Sequence, residues 1–456
     1  MLKGQPLARI LLAVSVLVLA ASPLQAKEQA TGQVVTHTLS NGMKVLVKPD
    51  HRAPVVTSMV WYRVGGLDET RGKTGISHVL EHMMFKGTKK VGPGQFSEII
   101  ARNGGRENAF TGQDYTAYFE ELAADRLAVG LRLEADRMVN LKLQPDQFKK
   151  EVRVVMEERR MRVEDKPQAK AQEALSAVAF DASGYGSPPI GWMPDLQALT
   201  VNKVRSWYQT YYSPSDARLV VVGDVDPQKV FKLAEKDFGS LKRGSKPTRK
   251  PNYTTEITGS RSVDLQGRAR VPYLVAGYHV PNLPAADKQW ETYALRVLAG
   301  VLDEGRSSRL SADLIRGSGV AASADAYYDP ETRASDLFYL DATPASGVSL
   351  DKLEHNLFGE VRKLRQNLVS SEELDRVKRQ IEAGEVFQRD SVFYQAMQIG
   401  KLETIGYGHG YLNTYLDRIR SVTPKQVRAV ARKYLKPEGR TIVRLHPEQR
   451  QSEGKS

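Results

Sequence analysis

The sequence predicts an α+β protein of two related α/β domains, each a mixed sheet flanked by helices, joined by a linker. Short β-branched runs alternate with stretches of helical period, the pattern of a sheet covered by helices. A second observation is an internal repeat. Thr200-Val201-Asn202-Lys203-Val204-Arg205, followed by Tyr211 and Pro214, recurs as Thr423-Pro424-Lys425-Gln426-Val427-Arg428, followed by Tyr434 and Pro437. Each matched pair is offset by 223 positions (423 minus 200), and Gly184-Tyr185-Gly186 recurs as Gly406-Tyr407-Gly408 at an offset of 222 (406 minus 184). A shared register over about thirty residues points to duplication. Between the copies, residues 241–256 turn polar and basic and contain Pro247 and Pro251, so they read as a linker between a first domain at 27–240 and a second at 257–446.

The first 26 residues read as a secretory signal peptide: Lys3 and Arg9 form a basic start, Ile10 to Ala21 is apolar, and the run ends on Ala26 before Lys27. The apolar run is short for a membrane anchor. The mature chain is therefore expected to be exported, most simply to a bacterial periplasm, without a stable membrane anchor. The sequence contains no cysteine, which excludes disulfides, thiolate ligands and a cysteine nucleophile, so His, Asp and Glu must hold any metal. Net charge is +13, or +11 once Lys3 and Arg9 are removed, a balance that favours acidic partners. No basic block is interleaved with aromatics, which speaks against nucleic acid.

In chain order, Thr36 to Leu39 and Met43 to Val47 flank Asn41-Gly42 as a hairpin, and Val55 to Val64 follows as a strand. Gly92-Pro93-Gly94 opens a short helix through Ile100, and Tyr115 to Phe119 reads as a strand. Leu122 to Val139 and Pro145 to about Val163 have helical period, and Leu219 to Val222 reads as a buried strand closing the first half. Thr441-Ile442-Val443 mirrors that strand, and the polar residues 447–456 are expected to be a disordered tail.

The chemistry is concentrated in Gly75 to Thr88. Ile76, Val79, Leu80 and Met83 recur at helical spacing, Thr74 or Ser77 can cap the start, and Gly87 can end the helix. His78 and His82 then lie one turn apart on one face, where two imidazoles can grip one metal ion, zinc suiting nitrogen ligands best. Glu81 lies on the same side, and its carboxylate can take a proton from metal-bound water. The order His-x-x-Glu-His is inverted relative to the common zinc-protease motif. A catalytic zinc needs a third protein ligand. The richest source of carboxylate is Glu151 to Arg160, where Glu151 and Glu158 are two helical turns apart and point the same way while Glu157 faces elsewhere. Composition does not choose among them.

Here the sequence resembles the insulinase and pitrilysin family of zinc metallopeptidases, which carry His-x-x-Glu-His and a glutamate about 76 residues beyond its second histidine; here 158 minus 82 is 76. The resemblance implies His78, His82 and Glu158 as ligands of one Zn2+ per chain, Glu81 as the base, and Glu151 as a support behind the ligands. It also implies that Asn108-Ala109-Phe110-Thr111 lies beside the site and pairs with an extended substrate as an added strand. The fold implied is half of a clamshell that closes around peptides or unfolded segments, and the reaction implied is peptide-bond hydrolysis.

The second half departs from the first and from the family. Thr292 to Leu298, where its early helix should lie, carries no histidine pair, and His279, His355, His409 and His446 have no ligand spacing. Many family members also carry an arginine and a tyrosine that reach the substrate from the domain opposite the metal. The corresponding stretch here, Leu314 to Ala322, puts Ile315 and Ala322 at those positions, with Arg316 one residue out of register and Tyr327 and Tyr328 further along. The resemblance therefore implies a heterodimer with a related zinc-less chain that supplies the pair, a homodimer being the alternative. Two other functions compete: a family-related subunit that binds or assembles without catalysis, and a metal-dependent amidase acting on envelope material.

Overall fold

A computed structural model describes residues 32–249 and 259–448. The expected signal peptide, residues 250–256 of the expected linker, residues 257–258 at the start of the expected second domain, and residues 449–456 of the expected tail lie outside the described residues. Among the described residues, no helix is long and apolar enough to cross a membrane.

The first sheet contains β1 (Val35–Thr38), β2 (Lys44–Pro49), β3 (Val55–Tyr62), β4 (Arg106–Thr111), β5 (Thr116–Ala123) and β6 (Ala217–Gly223), ordered β1-β2-β6-β3-β5-β4. The turn at Asn41-Gly42 joins β1 to β2, with Gly42 at φ +89°, a backbone that favours glycine. β2 and β6 run parallel and every other pair is antiparallel, with Met59 at the centre of β3 facing Val220 on one side and Phe119 on the other.

The second sheet contains β7 (Arg261–Gly267), β8 (Tyr273–Val280), β9 (Ala321–Tyr327), β10 (Asp336–Pro344) and β11 (Arg440–Pro447), ordered β7-β11-β8-β10-β9. With β1 set aside, this is the order of the first sheet, and the equivalent pair β7 and β11 is again the parallel one. The repeated Thr-led segments are helices Val201–Tyr211 and Pro424–Tyr434, each capped by its threonine, Thr200 and Thr423, accepting from the backbone N–H three residues on. Each helix leads through a short turn at proline into the parallel-paired strand, β6 or β11.

The two halves exchange a helix. Alternate residues of a strand face opposite sides of the sheet. One face of the first sheet, with Val45, Val60 and Val221, packs on helices of its own half. The other, with Leu46, Met59, Trp61 and Val220, is covered by Ala396 and Ile399 of helix Val392–Ile405 from the second half. Conversely, Ala171, Leu175 and Ala179 of helix Pro167–Ala179 in the first half cover Tyr273, Val275, Leu337 and Val443 of the second sheet. The repeated Gly-Tyr-Gly follows each exchanged helix. The contact is closest at Gly400, where a Cβ would strike the Trp61 indole.

Polar contacts continue this seam. Arg333, before β10, donates to both carboxylate oxygens of Asp68 at 2.6 and 2.9 Å. Asp114 accepts from the Tyr185 hydroxyl at 2.7 Å and from the Arg333 backbone at 3.2 Å. Residues 241–249 at the start of the expected linker follow the first half, Arg249 pairing with Asp216 and donating to the Arg63 carbonyl at 2.6 Å.

Two local expectations are corrected. The helix expected from Leu122 begins at Leu127, because Leu122 and Ala123 end β5, opposite Val56 and Val55 of β3. Its apolar residues satisfy both periods at the junction, and pairing across the sheet decides between them. Helix Ile76–Met83 is not capped by Thr74 or Ser77. Gly75 stands at its start at φ +81°, and the buried Glu69 carboxylate accepts from the backbone N–H groups of Gly75 and Ser77 at 2.6 and 2.8 Å.

Candidate metal centre

Helix Ile76–Met83 packs its Ile76, Val79, Leu80 and Met83 side into the first core. It lies against helix Pro145–Arg159, which carries Glu151 and Glu158. The remaining side presents His78, Glu81 and His82, all partly buried. The Nε2 atoms of His78 and His82 lie 3.7 and 3.5 Å from Glu158 Oε2. One donor atom from each of the three residues lies within 4.8 Å of the others, and no other such group of His, Asp and Glu occurs among the described residues.

These separations fit a metal. Zinc–nitrogen bonds of about 2.0–2.1 Å in a tetrahedron put ligand atoms roughly 3.3 Å apart, close to the spacing here. Two imidazoles and one carboxylate are also the donor chemistry of a catalytic zinc site with a fourth position open. Burial, and after it the neighbouring His82, push the His78 imidazole down to about 3, so it is neutral and able to donate its lone pair.

Supporting contacts hold the donors in place. Glu158 turns its other oxygen to Arg162, 2.8 Å away and one turn further on. That turn is a π-helical segment, Arg160–Glu164. His82 Nδ1 lies 3.3 Å from Glu151 Oε2, and Lys86 is paired with the other oxygen of Glu151 at 2.9 Å. Glu157 faces away, largely exposed and paired with Arg160. The spacing argument named Glu151 and Glu158 but missed Arg162 and Lys86. Each lies four residues beyond its neighbour in the site, Glu158 or His82, which is the signal that could have found them.

Glu81 accepts a hydrogen bond from Thr111 Oγ1 at 2.5 Å. Burial raises its pKa above the ordinary carboxylate range, with the Thr111 bond opposing that shift. Thr111 ends β4, the edge strand of the first sheet, so Asn108-Ala109-Phe110-Thr111 forms an open strand edge beside the donor cluster. The Asn108 carboxamide oxygen accepts from the Ala109 N–H at 2.8 Å. A cavity of about 380 Å³ adjoins His78 and Thr111, walled by Val163, Ala169 and Pro188-Pro189-Ile190.

The second half has no such cluster among its described residues. His409 pairs with Glu403 at 2.6 Å, His446 with Asp264 at 2.9 Å, and His279 faces the Ala179 carbonyl at 3.1 Å. Ile315 packs partly buried on the second core, while Ala322 is exposed on edge strand β9. Tyr327, on the same strand, is also exposed.

Comparison with known proteins places this arrangement. Residues 44–191 match the profile described as insulinase (peptidase family M16), and residues 198–381 match the peptidase M16 inactive domain. The zinc protease PqqE of Helicobacter pylori is 34% identical over 345 residues, covering 75% of this chain and 77% of that protein. This chain belongs to the insulinase family, peptidase family M16. The donor cluster falls in the half that matches the insulinase profile, and the half with no such cluster among its described residues falls largely in the inactive-domain match. An uncharacterized zinc protease of Bacillus subtilis, YmxG, is 28% identical over 398 residues, 87% of this chain and 94% of that one. The crystal structure of a protease from Helicobacter pylori superposes with a TM-score of 0.86 at 30% identity, covering 91% of this chain and 100% of that one. The periplasmic protease PqqL of Escherichia coli shares the M16 fold at a TM-score of 0.75 and 18% identity, and this chain covers 47% of its length.

Proposed function

We propose that this chain is an exported zinc metallopeptidase that hydrolyses peptides or unfolded polypeptide segments. His78, His82 and Glu158 would hold one Zn2+, with Glu151 orienting the His82 ring. Bound there, the ion would supply Lewis acidity toward water and the scissile carbonyl. Glu81 accepts the proton of the attacking water and returns it to the leaving amine. β4 aligns the substrate as an added strand along Asn108 to Thr111, which brings the scissile bond to Glu81.

The observation that carries this reading is the state of Glu81. It lies beside the donor cluster, outside the three-residue group, and is tied at 2.5 Å to the strand edge where an extended chain would dock. A subunit that only binds needs no such carboxylate. The zinc protease names of the M16 relatives support the same reading. Chelator-sensitive cleavage of a peptide library, run beside envelope polymers, tests it. Cleavage of the polymers alone would favour an amidase, and cleavage of neither would favour a non-catalytic subunit.

We also propose that the active assembly is a heterodimer with a related zinc-less chain that carries an arginine and tyrosine facing the substrate. The support is twofold: Ile315 and Ala322 occupy those positions here, and this chain spans about half of the PqqL length.

A further inference from the structure

The second half contains a cavity of about 460 Å³ on the face of its sheet that helix Pro167–Ala179 leaves uncovered. It lies between helix Leu350–Gln366, the turn after helix Pro424–Tyr434, and the start of β11. Its charged residues fall into paired and unpaired sets. At one end, Arg444 is held by both oxygens of Glu354 at 2.6 and 2.9 Å, with Asp351 adding to the same field. At the other end stand Arg362, Arg365 and Arg440, none of which forms an ion pair with a described residue.

The last two are only partly exposed, and their Nε atoms are buried without a hydrogen-bond partner. They face the same group: the Tyr278 hydroxyl lies in the fields of Arg440 and Arg365, with Glu354 acting on it from the other end. Phe358 packs under the Arg440 guanidinium, 3.5 Å from ring centre to Cζ. Guanidinium Nε atoms that are shielded from water and lack acceptors are costly. A multiply charged oxyanion would satisfy these donors and supply the negative partner that the three arginines lack.

We propose that this cavity binds a phosphate group, with Arg365 and Arg440 as its donors beside Tyr278 and the exposed Arg362 at the mouth. The cavity exceeds the volume of phosphate alone, so the natural ligand is a phosphate ester. It is either a soluble small molecule or the headgroup of an anionic lipid.

The test is calorimetric titration of the mature chain with inorganic phosphate at low ionic strength, repeated on R365Q/R440Q. Sedimentation with vesicles of phosphatidic acid, or of phosphatidylcholine, forms the second arm. Phosphate binding that weakens about tenfold or more in the double variant is expected, as lost charge-assisted hydrogen bonds predict. Vesicle binding that phosphate displaces would assign a lipid, and phosphate binding without vesicle binding a soluble ester. No phosphate binding, or equal binding by both proteins, would overturn the proposal. Should the double variant not fold, the wild-type protein decides: phosphate, compared with chloride at equal ionic strength, should slow phenylglyoxal modification of Arg365 and Arg440, and unchanged rates would refute the site.

Discussion

The Thr111 hydroxyl donates to Glu81 Oε2 at 2.5 Å, which ties the open edge of the first sheet to the carboxylate beside the donor cluster. β4 cannot slide without moving Glu81. Thr111→Val should therefore reduce kcat by about tenfold to a hundredfold while zinc content stays stoichiometric, since misplacing a reacting group by ~1 Å can cost that much. Metal analysis beside steady-state kinetics checks this, and unchanged kcat would mean that the bond does not orient the base.

Glu81→Gln should retain zinc and lose activity on the order of a hundredfold or more, because the amide cannot accept the proton. Loss of the metal along with activity would instead make Glu81 a ligand.

Glu158→Gln should weaken metal binding far more than Glu157→Gln, whose carboxylate points to Arg160 and solvent. Glu151→Gln should fall between them, at about tenfold to a hundredfold in affinity, as expected for a group that orients a ligand. Competition titration with a chromogenic chelator ranks the three, and a stronger effect at Glu157 would move the ligand by one residue.

Gly400→Ala should destabilise the protein by about 1–3 kcal/mol or more, because its Cβ would strike the Trp61 indole at the seam between the halves. Gly410→Ala, with open space at its Cβ, should stay within roughly 0.5 kcal/mol of wild type. Denaturant unfolding of both variants measures the difference, and equal midpoints would show that the seam can adjust.

The purified chain should begin at Lys27 and bind zinc, yet cleave peptides slowly until a zinc-less M16 chain carrying the arginine and tyrosine is added. The gain expected is a hundredfold or more, the scale of lost oxyanion donors. Full activity from the isolated chain, or from its homodimer, would remove the need for a partner.

What the sequence determined by itself is whatever backbone periodicity dictates. A helix rises and turns by fixed amounts per residue, so His78 and His82 had to share a face, and Glu151 and Glu158 had to point the same way. The 223-residue offset likewise foretold two sheets of one topology, because equal local patterns fold into equal elements. Only the tertiary structure decided what depends on residues distant in the chain: the approach of Glu158 to both imidazoles, the bond from Thr111 to Glu81, and the cap from Glu69. The exchange of helices Pro167–Ala179 and Val392–Ile405 belongs there too. An apolar helix face records in sequence that it must be covered, but not by which sheet, because hydrophobic burial is non-directional and the partner is chosen by shape, as Gly400 is by Trp61.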